Sequence, residues 1–118
     1  MTLQECYANL HGNYEDAKSR LARDKLIEKF MLKFPGDTSM DLLKTSVAEG
    51  NIQESFRAAH TLKGVAANLA FTELMDRVSE LTEQLRSCPE PADEALYQKV
   101  VEAYDLTIQA IDAYKAEM

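Results

Sequence analysis

Apolar residues recur at three- and four-residue steps through most of the chain, the period of a helix with one buried side. The stretch from Tyr14 to Phe34 places Ala17, Leu21, Ile27, Phe30 and Phe34 near one side. Met40, Leu43 and Val47 do the same over a shorter helix. Leu74, Val78, Leu81 and Leu85 form a clean stripe, and Leu96, Val100, Tyr104, Ile108 and Ile111 form another. The breaks between these segments are short: His11-Gly12-Asn13, Phe34-Pro35-Gly36-Asp37, Glu49-Gly50-Asn51, the region around Ala70-Phe71-Thr72, and Cys88-Pro89-Glu90-Pro91. Thr38 with Asp41 and Asn51 with Glu54 have the spacing of helix-start capping pairs.

One-sided helices joined by short loops lie antiparallel and bury their stripes best as a bundle. The pattern therefore predicts an all-α fold: an up-and-down antiparallel four-helix bundle core, with an additional short N-terminal helix around Thr2 to Asn9. At 118 residues the chain is read as a single domain over 1–118, large enough to fold without metal or disulfide. Scarce Gly and Pro beside plentiful Ala, Leu, Glu, Lys and Met agree with helices.

Charge narrows the function. A net charge of −7 argues against nucleic-acid binding, which needs a positive face to displace phosphate counterions, and disfavours anionic membrane surfaces. No apolar run reaches bilayer-spanning length and Met1 opens no signal-peptide pattern. Cys6 and Cys88 make no disulfide framework, so the expected compartment is the reducing cytoplasm. The two histidines and two cysteines stand at no metal-ligand spacing, and no Gly-rich phosphate loop is present; neither metal nor cofactor is expected on this chain. Glu80 and Glu83 read as a solvated face, and His11, beside Gly12, as structural or incidental.

The segment from Asn51 to Leu69 carries the candidate chemistry. At about 100° per residue, Ala58, Leu62, Val65, Ala66 and Leu69 share one face, and His60 points almost directly away from it. Gln53, Phe56, Arg57, Lys63, Gly64 and Ala67 accompany His60 on the outer face. Lys63, three residues on, can reach an oxyanion held on the imidazole. Gly64, four residues on, leaves open space beside the ring, at a helix cost of ~1 kcal/mol relative to alanine. Ser55 to Ala70 contains Arg57 and Lys63 and no acid, a positive window in an acidic chain. On the next helix Met75, Ser79, Thr82 and Arg86 form a polar row that an antiparallel neighbour sets beside His60. From there Ser79 or Thr82 can orient the ring at Nδ1–H, leaving Nε2 as nucleophile, and Arg86 can add charge. Phe56, Ala67 and Phe71 are candidates for a docking patch, with Arg57 at its edge.

The run Ala59-His60-Thr61-Leu62-Lys63-Gly64-Val65-Ala66-Ala67-Asn68-Leu69 resembles the signature of histidine-containing phosphotransfer domains. The resemblance implies that His60 takes a phosphoryl group from a receiver-domain aspartyl phosphate and passes it to another receiver. Lys63 is then the phosphate-side cation and Gly64 the clearance residue. It implies a carrier and not a turnover enzyme, with Mg²⁺ on the partner receiver. The partners would be response-regulator receiver domains or a hybrid sensor kinase, and the chain itself a monomer. Two positions depart from the family pattern: Ala70 stands where glycine is common, and Thr82 where a longer glutamine or glutamate often falls. The rival readings are an adaptor that docks receivers without taking phosphate, and a purely structural bundle.

Overall fold

The structure is a computed structural model that describes residues 1–87 and 90–118. The predicted break at Cys88-Pro89 and any reading of Cys88 lie outside the described residues. Among the described residues seven α-helices follow in order: α1 (Leu3–Asn9), α2 (Tyr14–Leu21), α3 (Asp24–Lys33), α4 (Ser39–Ala48), α5 (Ile52–Asn68), α6 (Thr72–Ser87) and α7 (Glu94–Ala116), with a 3₁₀ turn at Phe34–Gly36. Among the described residues there is no strand. α4, α5, α6 and α7 pack each against the next, which makes the helical bundle, and α1 closes on α7.

The predicted stripes meet in the core. Met40, Leu43, Leu62, Leu74, Val78, Leu81, Leu85, Val100 and Ile111 are buried together. In α7 the innermost line is smaller than expected: Ala103, Thr107 and Ala110 are buried, while Leu96, Tyr104 and Ile108 are half-buried beside them. Small side chains let the long helix approach its neighbours closely.

The stretch from Tyr14 to Phe34 is two helices, not one. On an unbroken helix Ala17 and Leu21 would be turned about 130° from Ile27, Phe30 and Phe34, so the two groups could not share one core. The chain breaks at Ala22, whose φ of 68° is left-handed, and Arg23 is extended. Tyr14 and Lys18 both reach across the break to the Asp24 carboxylate, Lys18 at 3.0 Å. Ala17, Ile27 and Phe34 are then buried, Leu21 is half-buried, and Phe30 is left exposed.

Helix ends explain several sequence features. Thr2 and Glu5 form a reciprocal capping box on α1. Asn51 caps α5 by accepting from the Glu54 N–H at 3.1 Å. The expected Thr38 cap is absent: Thr38 has helical backbone and no cap bond, and Asp37 accepts from the Ser39 N–H at 2.9 Å instead. Three helices close with the same pair of backbone bonds around a left-handed residue. For α1 that residue is His11 (φ 59°), for α4 it is Gly50 (φ 68°), and for α5 it is Ala70 (φ 56°). His11 thus serves a structural end. At Ala70 the backbone takes the conformation that suits the glycine common in the resembling family.

Candidate functional site

The site is built on α5, and both ends of that helix are pinned. Asn51 holds its start. At its finish, the Tyr7 hydroxyl donates to the Leu69 carbonyl at 2.8 Å and the Asn13 N–H donates to the Ala70 carbonyl at 2.9 Å. Gly12 makes that second contact possible, because a Cβ there would lie 2.9 Å from the Ala70 oxygen and 2.7 Å from Leu10 Cδ1. Ser55, Ala58, Ala59, Leu62 and Ala66 are the buried side of α5. The helix therefore cannot roll without exposing them, and the opposite side is fixed toward solvent.

His60 sits at the centre of that outer side and is exposed. Phe56, one turn earlier, lies stacked against it, ring centroids 6.0 Å apart and planes within 15°. The Arg86 guanidinium of α6 lies 5.4 Å over the Phe56 ring and also pairs with Glu83 at 2.7 Å. Arg86 thus comes to the His60 face by way of Phe56, the packing that antiparallel α5 and α6 make possible. Lys63 is half-buried and, among the described residues, has no carboxylate partner, whereas Arg57 pairs with Glu54 at 3.0 Å. Of the two cations on the His60 helix, the uncommitted one is Lys63. Gly64 is exposed, and a Cβ built on it meets nothing within 4 Å. The imidazole is open on that side.

Two expectations need correction. Thr82 does not belong to an outer polar row: it is fully buried, and its hydroxyl donates to the Val78 carbonyl at 2.7 Å. Ser79 is half-exposed, and among the described residues no side chain hydrogen-bonds the His60 ring. Its aromatic neighbour is Phe56, nearly parallel to it. Phe71 is not part of a docking patch: it is buried between Phe34 and Tyr7, with ring centroids at 5.2 and 5.7 Å. Phe56 and Ala67 remain half-exposed on the His60 face, with Arg57 exposed at its edge. The stack of Phe56 on His60 was not foreseen, although the i, i+4 spacing that produces it is in the sequence.

Among the described residues there is no cluster of three or more His, Cys, Asp or Glu side chains fit to hold a metal ion, and no helix long and apolar enough to cross a membrane. The arrangement is an exposed imidazole on a helix pinned at both ends, with Lys63, unpaired among the described residues, and the clear space at Gly64 both within the next turn. That is suited to accepting a bulky anion at a ring nitrogen.

The model of the Hpt domain matches residues 31–114, from the end of α3 through most of α7. Comparison with curated proteins and with solved structures finds no match. Hpt domains act in histidine phosphotransfer of two-component signalling, as carriers rather than turnover enzymes, and interact with receiver or kinase partners. With the matched residues spanning the bundle that carries His60, the chain belongs to the Hpt domain family.

Proposed function

We propose that this chain is a phosphorelay carrier whose His60 Nε2 takes a phosphoryl group from the aspartyl phosphate of one receiver domain and gives it to the aspartate of another. In the first step the Nε2 lone pair attacks phosphorus, the Nε2–P bond forms, and the P–O bond to the aspartyl carboxylate breaks. The carboxylate leaves with the bonding pair, and the positive charge left on the ring is held at Nδ1–H. The return step is the same displacement in reverse, with a second carboxylate as nucleophile. The receiver contributes Mg²⁺ against the phosphoryl oxygens; this chain contributes position and charge.

The observation that carries the reading is the exposure of His60 beside Lys63, which has no carboxylate partner among the described residues, and the open space at Gly64. Lys63 meets the developing charge on the transferring oxygens. Gly64 leaves the in-line approach clear, and Phe56 offers a flat neighbour to the ring. Arg86, held over Phe56, adds a second positive charge at the rim. The cytoplasm, where receivers and their kinases meet, is the expected location. The test is transfer from a panel of phosphorylated receivers, followed in both directions by loss and gain of label. Transfer in both directions supports the carrier. Receiver binding without transfer would make the protein an adaptor.

A further inference from the structure

Among the described helices α2 is the least anchored. It buries Ala17 alone, whereas α1 buries Leu3, Cys6 and Tyr7 and α3 buries Ile27 and Met31. One methyl group contributes little by burial, and eight residues are too few for a helix that holds by itself. α2 packs mainly on its neighbours in sequence, α1 and α3. What closes it is polar and lies at the surface. Asn13 caps it by accepting from the Asp16 N–H at 2.9 Å, and Tyr14 and Lys18 both reach the Asp24 carboxylate. Exposed contacts of this kind are each weak.

The join to α3 is strained. The Arg23 N–H donates to the Leu21 carbonyl at 2.8 Å, which closes a three-residue turn with Ala22 at its centre, φ 68° and ψ −35°. That is a γ-turn of the rare hand, which a residue with a Cβ adopts only at a cost. Glycine takes a positive φ freely, yet Ala22 stands there. The strain is released when α2 leaves its place. Against it, Asp24 draws Tyr14 and Lys18 back across the turn.

We propose that α2 is a strap, anchored at both ends, that lifts from α1 and α3 while the bundle stays folded. Its first anchor is the Asn13 N–H on the Ala70 carbonyl, and its second is α3, held in the core by Ile27 and Met31. Eight residues span about 12 Å as a helix and about 26 Å when extended, so α2 can unwind without pulling on either anchor. Lifting takes Arg20 and Leu21 out of the wall of a cavity of about 450 Å³, which they share with Phe30, Phe34, Val65 and Leu69. The strap lies ahead of the matched residues 31–114, outside the bundle that defines the family.

Amide hydrogen exchange on the full chain reads strap and bundle separately, through the N–H groups of Ala17 to Ala22 and those of α6. Corrected for intrinsic rates, the α2 amides should be protected about a hundredfold less than the α6 amides, or less still. Tyr14→Phe removes one tie to Asp24 and keeps the ring beside Tyr7, 6.2 Å away. It should lower protection in α2 by about two- to fivefold and leave α6 unchanged. Ala22→Gly removes the strain of the turn and should raise protection in α2 about threefold or more. Equal protection of α2 and α6 in the wild type would mean that α2 opens only with the whole fold, and would overturn the proposal. A Tyr14→Phe chain that loses protection equally in both helices would also overturn it, as would unchanged α2 exchange in both variants.

Discussion

Phe56 stacks on His60 with ring planes 15° apart, and no hydrogen bond among the described residues does the same work. On the carrier reading, the acceptor ring has its flat neighbour on its own helix, one turn away. Phe56→Leu keeps the apolar volume and should cost less than about 1.5 kcal/mol of stability. Losing the flat support should slow transfer about tenfold or more, since misplacing a reacting group is expensive. Stopped-flow transfer rates beside thermal melts check this. Wild-type transfer by Phe56→Leu would remove Phe56 from the mechanism.

Lys63 and Arg57 give a matched pair. Lys63 has no acidic partner among the described residues, while Arg57 is paired with Glu54 at 3.0 Å. Single surface charges change stability by a few tenths of a kcal/mol. Lys63→Ala should slow transfer about tenfold or more with a nearly unchanged melting temperature. Arg57→Ala should have a smaller effect. A larger loss in Arg57→Ala would reverse the assignment of the phosphate-side cation.

Two glycines should respond in opposite senses. At Gly64 an added methyl enters open space, so Gly64→Ala should stabilise by about 0.4–1 kcal/mol. Gly64→Gln should also fold, yet obstruct the approach to His60 and lower transfer sharply. At Gly12 the same methyl would sit 2.7 Å from Leu10 Cδ1 and 2.9 Å from the Ala70 oxygen, and Gly12→Ala should cost about 1–3 kcal/mol. Denaturant melts of the three variants read the signs directly.

How much of this was legible beforehand varies with the physics. The helical stripes, the exposure of His60 and the clearance at Gly64 follow from periodicity, which local spacing encodes. The break at Ala22 was hidden because alanine is a good helix former; only the mutual rotation of the two apolar groups betrays it. Thr82 was misplaced for a related reason. A threonine hydroxyl can satisfy itself on the carbonyl four residues back, so a polar side chain can sit in a core at no hydrogen-bonding cost. Phe71 depends on where α1 and the 3₁₀ turn at Phe34 fold over the end of α5, a tertiary fact with no local signature. The cavity beside Phe30 is likewise made by elements far apart in sequence.

Cys6 supplies a pH prediction. Burial beside Met31 and the Ala110 carbonyl pushes its thiol up from 9.0 to about 11. Since the folded state holds this proton more tightly than the unfolded chain, the contribution is complete below pH 9 and is lost as pH rises toward 11. In a Cys88→Ser background, the folded protein should resist thiol alkylation at neutral pH, and Cys6→Ala should flatten the alkaline fall in stability. Rapid alkylation of the native protein would contradict the buried placement.

The most direct measurement is the site of the phosphoryl group. After incubation with a phosphorylated receiver, mass spectrometry should find one modification, on His60, stable in base and labile in acid as a phosphoramidate is. His60→Gln should take up none while keeping its fold. Equal labelling of His60→Gln, or a label on any other residue, would contradict the account.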